Sequence, residues 1–325
     1  MYVNYDNFVV LQGYLHIIKE SLTRFGYKCE YTKDFSGVSK SDLVVFSTSV
    51  DAFKYYHMGY RNIIVWFQGL LGAESYMRNK SKLRSAVLNY MDRFALKKAQ
   101  MVFFVSKYMQ SYYETMSRTI FKHKAYVMPC FNETLDSSIF DKKDYSKKTF
   151  AYVGSLSVWQ CFSETVGIYA EIEKKIPCTH FKVLTFDTEK AKQILEERKI
   201  KNYSVKCVPK EQVKKELEDV TYGFIIRRDT DVNRVATPTK ISSYLSAGVL
   251  PIYSPCLNDF HIQVDGKKLA FALNAEGPVD GLIRFVNDGV DKDTVQKEIE
   301  ELFDTYYSPE NHINNIISLA KNCLE

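Results

Sequence analysis

Four cations and a helix-start signal crowd one segment, TYGFIIRRDTDVNRVATPTKISSYLSAGVLPIYS, from Thr221 to Ser254. Arg227, Arg228 and Arg234 lie in the loop after an apolar run, Tyr222 to Ile226, and Lys240 follows Thr237-Pro238-Thr239. A threonine before a proline predicts a helix start, with Thr237 as N-cap and Pro238 at the first helical position. Backbone N–H groups at such a start, with cations around them, form a site for an anion, a phosphate above all. A lysine in a first helical turn opposes the helix dipole unless an anion sits beside it, which favours a functional reading of Lys240. The same spacing also fits an ordinary strand–helix–strand unit with a solvated basic loop. Gly154-Ser155-Leu156-Ser157 is a second candidate. Its glycine permits close backbone approach, and its amides and hydroxyls can hydrogen-bond oxyanions, although such turns are common without any ligand. Asp229-Thr230-Asp231 is a DxD, a pair of carboxylates suited to Mg²⁺ or Mn²⁺ shared with a diphosphate, and also a frequent chance pattern.

The elements that must position these residues alternate between strand and helix throughout, which argues for doubly wound α/β layers. In the first half strands are expected near 2–4, 28–31, 43–46, 63–67, 102–105 and 125–128, with helices near 10–25, 82–99 and 108–118. The polar stretch 132–148 reads as a linker. The second half restarts the alternation. Strands are expected near 149–153, 182–186, 204–208, 223–226 and 249–253, with a weak one at 269–273. Helices are expected near 162–175, 189–199, 211–218, 238–247, 278–287, 293–306 and 309–324. Ligands of open α/β sheets bind beyond the C-terminal strand ends. The loops 154–157 and 227–236 and the helix start at 237–240 should therefore converge. The dinucleotide fingerprint GxGxxG is absent, which weakens a dehydrogenase reading.

Three stretches resemble a known family. PTKISSYLSAGVLPIYS is similar to the P-(T/S)-K-x-x-E-Y-L-x-x-G-x-P-(V/I)-I segment of GT-B retaining glycosyltransferases, in particular the family 4 group. FAYVGSLS, Phe150 to Ser157, resembles the strand and loop that open the donor domain in that family. VWFQG, Val65 to Gly69, resembles the acceptor-domain strand and loop facing the cleft. The resemblance implies two Rossmann-like doubly wound domains facing a central cleft: an acceptor-side domain over 1–131, a donor domain over 132–308, and a last helix, 309–325, returning to the first domain. It implies transfer of a sugar from a nucleoside diphosphate sugar to a saccharide or lipid-linked acceptor in surface polysaccharide synthesis, with retention of configuration. It puts Lys240 on the donor phosphates, and Arg228 is the best candidate for a second cation. Arg227, Gly154, Ser155, Leu156, Thr237, Pro238, Thr239 and Ser243 are expected to line the donor site. Gln68 is a candidate to face the reacting sugar. Gln12, Gly13 and Gly69 are expected on the acceptor side. A diphosphate leaving group needs its developing charge stabilised, and Lys240, Arg228 and helix amides can supply this without a metal or other cofactor. Three departures mark a divergent subfamily. Ser243 stands where the family has a ribose-binding glutamate. Val158-Trp159-Gln160-Cys161 stands where a lysine commonly follows the glycine loop. Gln68 stands where a histidine is common. They leave open a non-catalytic partner of an active transferase, and the DxD leaves open a metal-dependent transferase.

The 325 residues suffice for two domains, and 46% hydrophobic with 26% charged residues is ordinary for a globular chain. Seven cysteines, none in a CxxC pair, argue against a disulfide framework or zinc site and for a reducing compartment. No signal peptide or membrane-spanning run is expected, so the protein should be cytoplasmic. Charge is uneven. Met1 to Phe131 carries 18 Lys and Arg against 9 Asp and Glu, a net +9 where the whole chain carries +5. The basic half should meet something anionic. No nucleic-acid-binding motif is visible, whereas Met77 to Met101 reads as a basic amphipathic helix. An anionic membrane surface, on the inner face, is the expected partner; a solvated domain helix is the alternative.

Overall fold

The computed structural model describes the backbone of residues 1–4 and 8–325 and the side chains of residues 1–4 and 13–325. The chain forms two compact units. The first comprises Met1–Cys130, Arg234–Thr237 and Ser308–Glu325; the second comprises Phe131–Asn233 and Pro238–Tyr307.

The first unit holds β1 (Tyr2–Asn4), β2 (Glu30–Thr32), β3 (Val44–Phe46), β4 (Ile63–Phe67), β5 (Met101–Phe104) and β6 (Ala125–Val127). They pair in parallel in the order β2-β1-β3-β4-β5-β6. VVF, IIVWF and MVFF are buried along their whole length, as strands covered by helices on both faces must be. The aromatic side chains Phe46, Trp66, Phe103, Phe104 and Tyr113 fill this core. The Pro309–Leu324 helix starts with Ser308 capping Asn311 N–H. It packs within this unit, its His312 Nδ1 2.8 Å from the Tyr126 hydroxyl.

The second unit holds β7 (Thr149–Val153), β8 (His180–Leu184), β9 (Tyr203–Lys206), β10 (Tyr222–Ile225), β11 (Leu250–Tyr253) and β12 (Phe271–Ala272). Every pairing is parallel, in the order β12-β11-β10-β7-β8-β9. The chain winds outward from β7 through β8 to β9, then crosses back and winds the other way from β10. This is the dinucleotide-fold strand order, with its switch point between β7 and β10.

The structure departs from the expectations locally, although the helix expected near 82–99 is present as Lys82–Lys98. The basic helix expected over Met77 to Met101 is two helices, Leu71–Asn79 and Lys82–Lys98. Lys80 turns the chain in the left-handed region at φ 55°, and the Ser81 hydroxyl then caps Arg84 N–H. A helix at Ser49–His57 was not anticipated, because SVDAFKYYH has little apolar periodicity. Its signal was the cap: Thr48 accepts from Asp51 N–H at 3.0 Å. The polar stretch 132–148 is not a free linker. Ile139 and Phe140 are buried, and the buried Lys143 ammonium donates to the carbonyls of Leu217 and Ala247.

Candidate functional site

The switch point of the second sheet gathers three parts of the chain. β7 runs into Gly154, whose φ of +131° suits only glycine; a Cβ there would sit 3.0 Å from Lys240 Nζ. β10 runs through Ile226 into Arg227. Lys240 opens the Lys240–Ser246 helix. Tyr244 fixes that helix to the strand ends. Its hydroxyl accepts from Val153 N–H at 3.0 Å. Its ring lies against β10, where a Cβ on Gly223 would come within 2.6 Å of it. The Lys240 side chain is thus delivered to the glycine turn by a fully buried tyrosine one turn along.

Lys240 and Arg227 meet on one neutral group. Gln160 Oε1 accepts from Lys240 Nζ at 2.7 Å and from Arg227 Nη2 at 2.6 Å. Arg227 Nη1 also donates to the backbone carbonyls of Gln160 and Ile226. Lys240 Nζ stands 4.8 Å from the centre of the buried Tyr152 ring. Neither cation makes an ion pair among the described residues, although Arg227 is only 3% exposed. Burial, and then the neighbouring guanidinium, hold the Lys240 ammonium well below the ordinary lysine value. Burial also lowers Arg227. Two crowded, desolvated cations share a carboxamide oxygen where an anionic oxygen would satisfy both more strongly.

The remaining donor-side candidates divide. Arg228, expected as the second cation, points elsewhere: its side chain is 61% exposed and paired with Glu164 Oε1 at 2.5 Å. Arg227 holds the place beside Lys240. Leu156 and Arg228 line an open cleft of about 400 Å³ together with Val158, Phe162, Lys190 and Arg198. Ser155 is exposed, its hydroxyl 2.9 Å from that of Ser157. Ser243 is half-buried and donates to Asn132 Oδ1 at 3.1 Å. Thr237 is not the N-cap. The helix begins at Lys240 after Thr239, with no side-chain cap. Thr237 Oγ1 instead accepts from Cys130 N–H, both in the first unit. Pro238 supplies the turn, its carbonyl accepting from Ile241 N–H. A helix of seven residues offers little dipole, so side-chain charge dominates this site. Gln160 and Tyr152 were not anticipated as site residues. The signal for Gln160 was its place in the tetrapeptide where the family resemblance leads one to expect a lysine.

Gln68 Nε2 donates to Ser47 O at 2.8 Å, which joins the ends of β3 and β4. A Cβ on Gly69 would collide with the Glu74 carboxylate, so this glycine admits a half-buried acid whose proton affinity is raised by burial. Gly13 is exposed in the Phe8–Phe25 helix, and the Gln12 side chain lies outside the described residues. Behind Gly69, buried Asp92 accepts from Ser49 and Tyr113, and burial pushes it up to about 6. Among the described residues no group of three or more His, Cys, Asp or Glu side chains is arranged to hold a metal ion, and no helix is long and apolar enough to cross a membrane.

No protein-family model matches the chain, and no curated protein sequence matches it significantly. Solved structures do. A glycosyltransferase from Rickettsia africae is 10% identical with a TM-score of 0.68, covering 100% of this chain and 98% of that one. Sucrose-phosphate synthase from Thermosynechococcus elongatus is 10% identical with a TM-score of 0.67, covering 96% and 92%. A variant of TarM from S. aureus, in complex with fondaparinux, alpha-GlcNAc-glycerol and UDP, is 10% identical with a TM-score of 0.66 over 86% of this chain. The chain spans only 56% of that TarM. Two doubly wound units with parallel six-stranded sheets give this chain the GT-B fold of these structures.

Proposed function

We propose that the protein is a glycosyltransferase that moves a sugar from a nucleoside diphosphate sugar, with UDP as the leaving group, to a saccharide or lipid-linked acceptor in surface polysaccharide synthesis. The observation that carries this reading is the pair of half-buried Lys240 and buried Arg227, with no counterion among the described residues, at the β7–β10 switch point against Gly154. A diphosphate leaving group gains negative charge as its bond to the sugar breaks. Two fixed cations in a site of low dielectric stabilise that charge more than they stabilise the intact donor, which is what lowers the barrier. UDP in the TarM complex supports the choice of nucleotide. In this reading Lys240 and Arg227 hold the diphosphate, and Gly154 and Ser155 let its oxygens approach the backbone. Leu156, Thr239, Pro238 and Ser243 shape the donor side. Gln12, Gly13, Gln68 and Gly69 belong to the acceptor side. Transfer proceeds with retention, without a metal, because the charge a divalent ion would supply is already built in.

Attachment to the inner face of an anionic membrane completes the proposal. The Lys82–Lys98 helix exposes Leu83, Val87 and Tyr90 at 78%, 46% and 57%, on one face at helical spacing. Arg84, Lys80 and Lys82 flank that stripe. Exposed apolar side chains rimmed by cations suit the boundary between headgroups and acyl chains.

The deciding experiment is a thermal-shift and turnover screen of the purified protein against nucleoside diphosphates and their sugars. UDP should stabilise the protein and uridine should not, and at least one UDP-sugar should release UDP. If no nucleoside diphosphate shifts the melting temperature and no donor turns over, the reading fails.

A further inference from the structure

Resting on the donor reading above, we infer that Gln160 is a displaceable stand-in for the donor diphosphate: its carboxamide oxygen occupies the anion position between Lys240 and Arg227, and the donor must take that position from it. The geometry leads there directly. Oε1 of Gln160 lies 2.7 Å from Lys240 Nζ and 2.6 Å from Arg227 Nη2. Those lengths suit a charged acceptor as well as a neutral one, and a neutral oxygen answers two cations only partly. A carboxylate or phosphoryl oxygen in the same place would neutralise them.

The segment that carries Gln160 is short. It is one turn of 3-10 helix, Val158–Gln160, between the exposed Ser155 and the left-handed Cys161. Val158 in the same turn is 78% exposed, so its side chain adds no packing to the turn. Gln160 has a further property that a fixed anion would lack. Rotation about its last side-chain bond exchanges the acceptor oxygen for an NH₂ donor with almost no change of shape. The residue that spaces the cations apart in the free protein can therefore donate to the diphosphate once the donor has arrived. Gln160 thus acts as a positioning residue. It keeps the two cations preorganised, and it imposes a competition that only a strong oxyanion wins. Selectivity for diphosphate esters over neutral sugars follows.

Substitution at Gln160 separates this role from packing, with UDP and inorganic pyrophosphate as probes in calorimetric titration and thermal unfolding. Gln160→Glu places a permanent carboxylate between the cations. It should raise the melting temperature of the free protein and weaken both probes by at least about 10-fold, the equivalent of one lost charge-assisted hydrogen bond. Gln160→Ala leaves the cations without a shared acceptor. It should lower the melting temperature and leave pyrophosphate affinity within about 3-fold of the parent or tighter. Unchanged probe affinity in Gln160→Glu, or a matching loss of affinity in Gln160→Ala, overturns the inference. If the parent protein binds pyrophosphate but not UDP, the donor reading fails and the competition at Gln160 stands on the pyrophosphate data. If it binds neither, both fail.

Discussion

Lys240→Met tests whether the half-buried ammonium serves the ligand or the fold. Methionine keeps the length and most of the volume of the lysine stem, so the packing around Tyr152 is nearly conserved. No acceptor is orphaned, because Gln160 Oε1 retains Arg227 as donor at 2.6 Å. Two unit charges about 5 Å apart repel by about 3 kcal/mol at an effective dielectric near 20. Losing that repulsion offsets the loss of a charge-assisted hydrogen bond to Gln160, about 1.5–3 kcal/mol. The ligand-free variant should therefore unfold within about 1 kcal/mol of the parent. The ligand-bound state has no such compensation. Loss of one charge-assisted bond to a phosphoryl oxygen should weaken UDP roughly 10- to 100-fold. At a UDP concentration near 100 times the parent Kd, ligand stabilises the parent by about 2.7 kcal/mol, and this falls to about 1.4 or 0.4 in the variant. At about 2–4 °C per kcal/mol for a domain of this size, the UDP-induced shift should drop by several degrees. Scanning fluorimetry with and without UDP on the same samples reads both quantities. A ligand-free variant destabilised by more than about 3 kcal/mol would make Lys240 structural, and an undiminished UDP shift would remove it from the donor site.

Arg227→Ala should weaken UDP by about 10-fold or more, whereas Arg228→Ala, at an exposed pair with Glu164, should change UDP affinity and stability little; the reverse order in titration calorimetry would restore Arg228 as the second cation. Turnover should survive EDTA, and Asp229→Asn with Asp231→Asn should keep most of it; loss on chelation with recovery on Mn²⁺ would establish the DxD as a metal site. Leu83→Glu with Val87→Glu should abolish co-sedimentation with anionic vesicles and leave the melting temperature unchanged, since both side chains are exposed; equal binding of parent protein to neutral vesicles would refute the basic contribution. Lys143 is lowered to about 7, chiefly by burial, with Asp219 and Glu218 opposing the shift and Lys182 adding to it. Its folded form gives up the proton first, so the unfolded chain binds more protons between about pH 7 and 10.5 and stability rises with pH across that window. Denaturant titrations at several pH values should show that rise diminished in Lys143→Met, and parallel pH profiles for the two proteins would contradict the shift.

The architecture was legible in the order of residues alone. Short apolar runs rich in β-branched and aromatic residues, such as IIVWF and TFAYV, favour buried strands, and their alternation with amphipathic segments points to doubly wound layers. Gly154 and Lys240 were legible because each breaks a local rule: one needs a backbone conformation that only glycine adopts easily, and the other sets a cation at a helix start. Tertiary structure alone decided which of two adjacent arginines joins Lys240. Arg227 and Arg228 are identical in type and neighbours in sequence. Successive residues leaving a strand point to opposite sides, so β10 buries one against Gln160 and turns the other out to Glu164. The partners of Gln160 were hidden for the same reason. Its tetrapeptide stands where the resemblance leads one to expect a lysine, but it lies 80 residues before Lys240, and nothing local says that its carboxamide reaches that far. Only the parallel pairing of β7 with β10, and the tyrosine that bolts the Lys240 helix across both strand ends, bring that carboxamide between the two charges. Local sequence carries propensity and periodicity. The choice between equivalent side chains is made by strand order and burial, which are properties of the whole sheet.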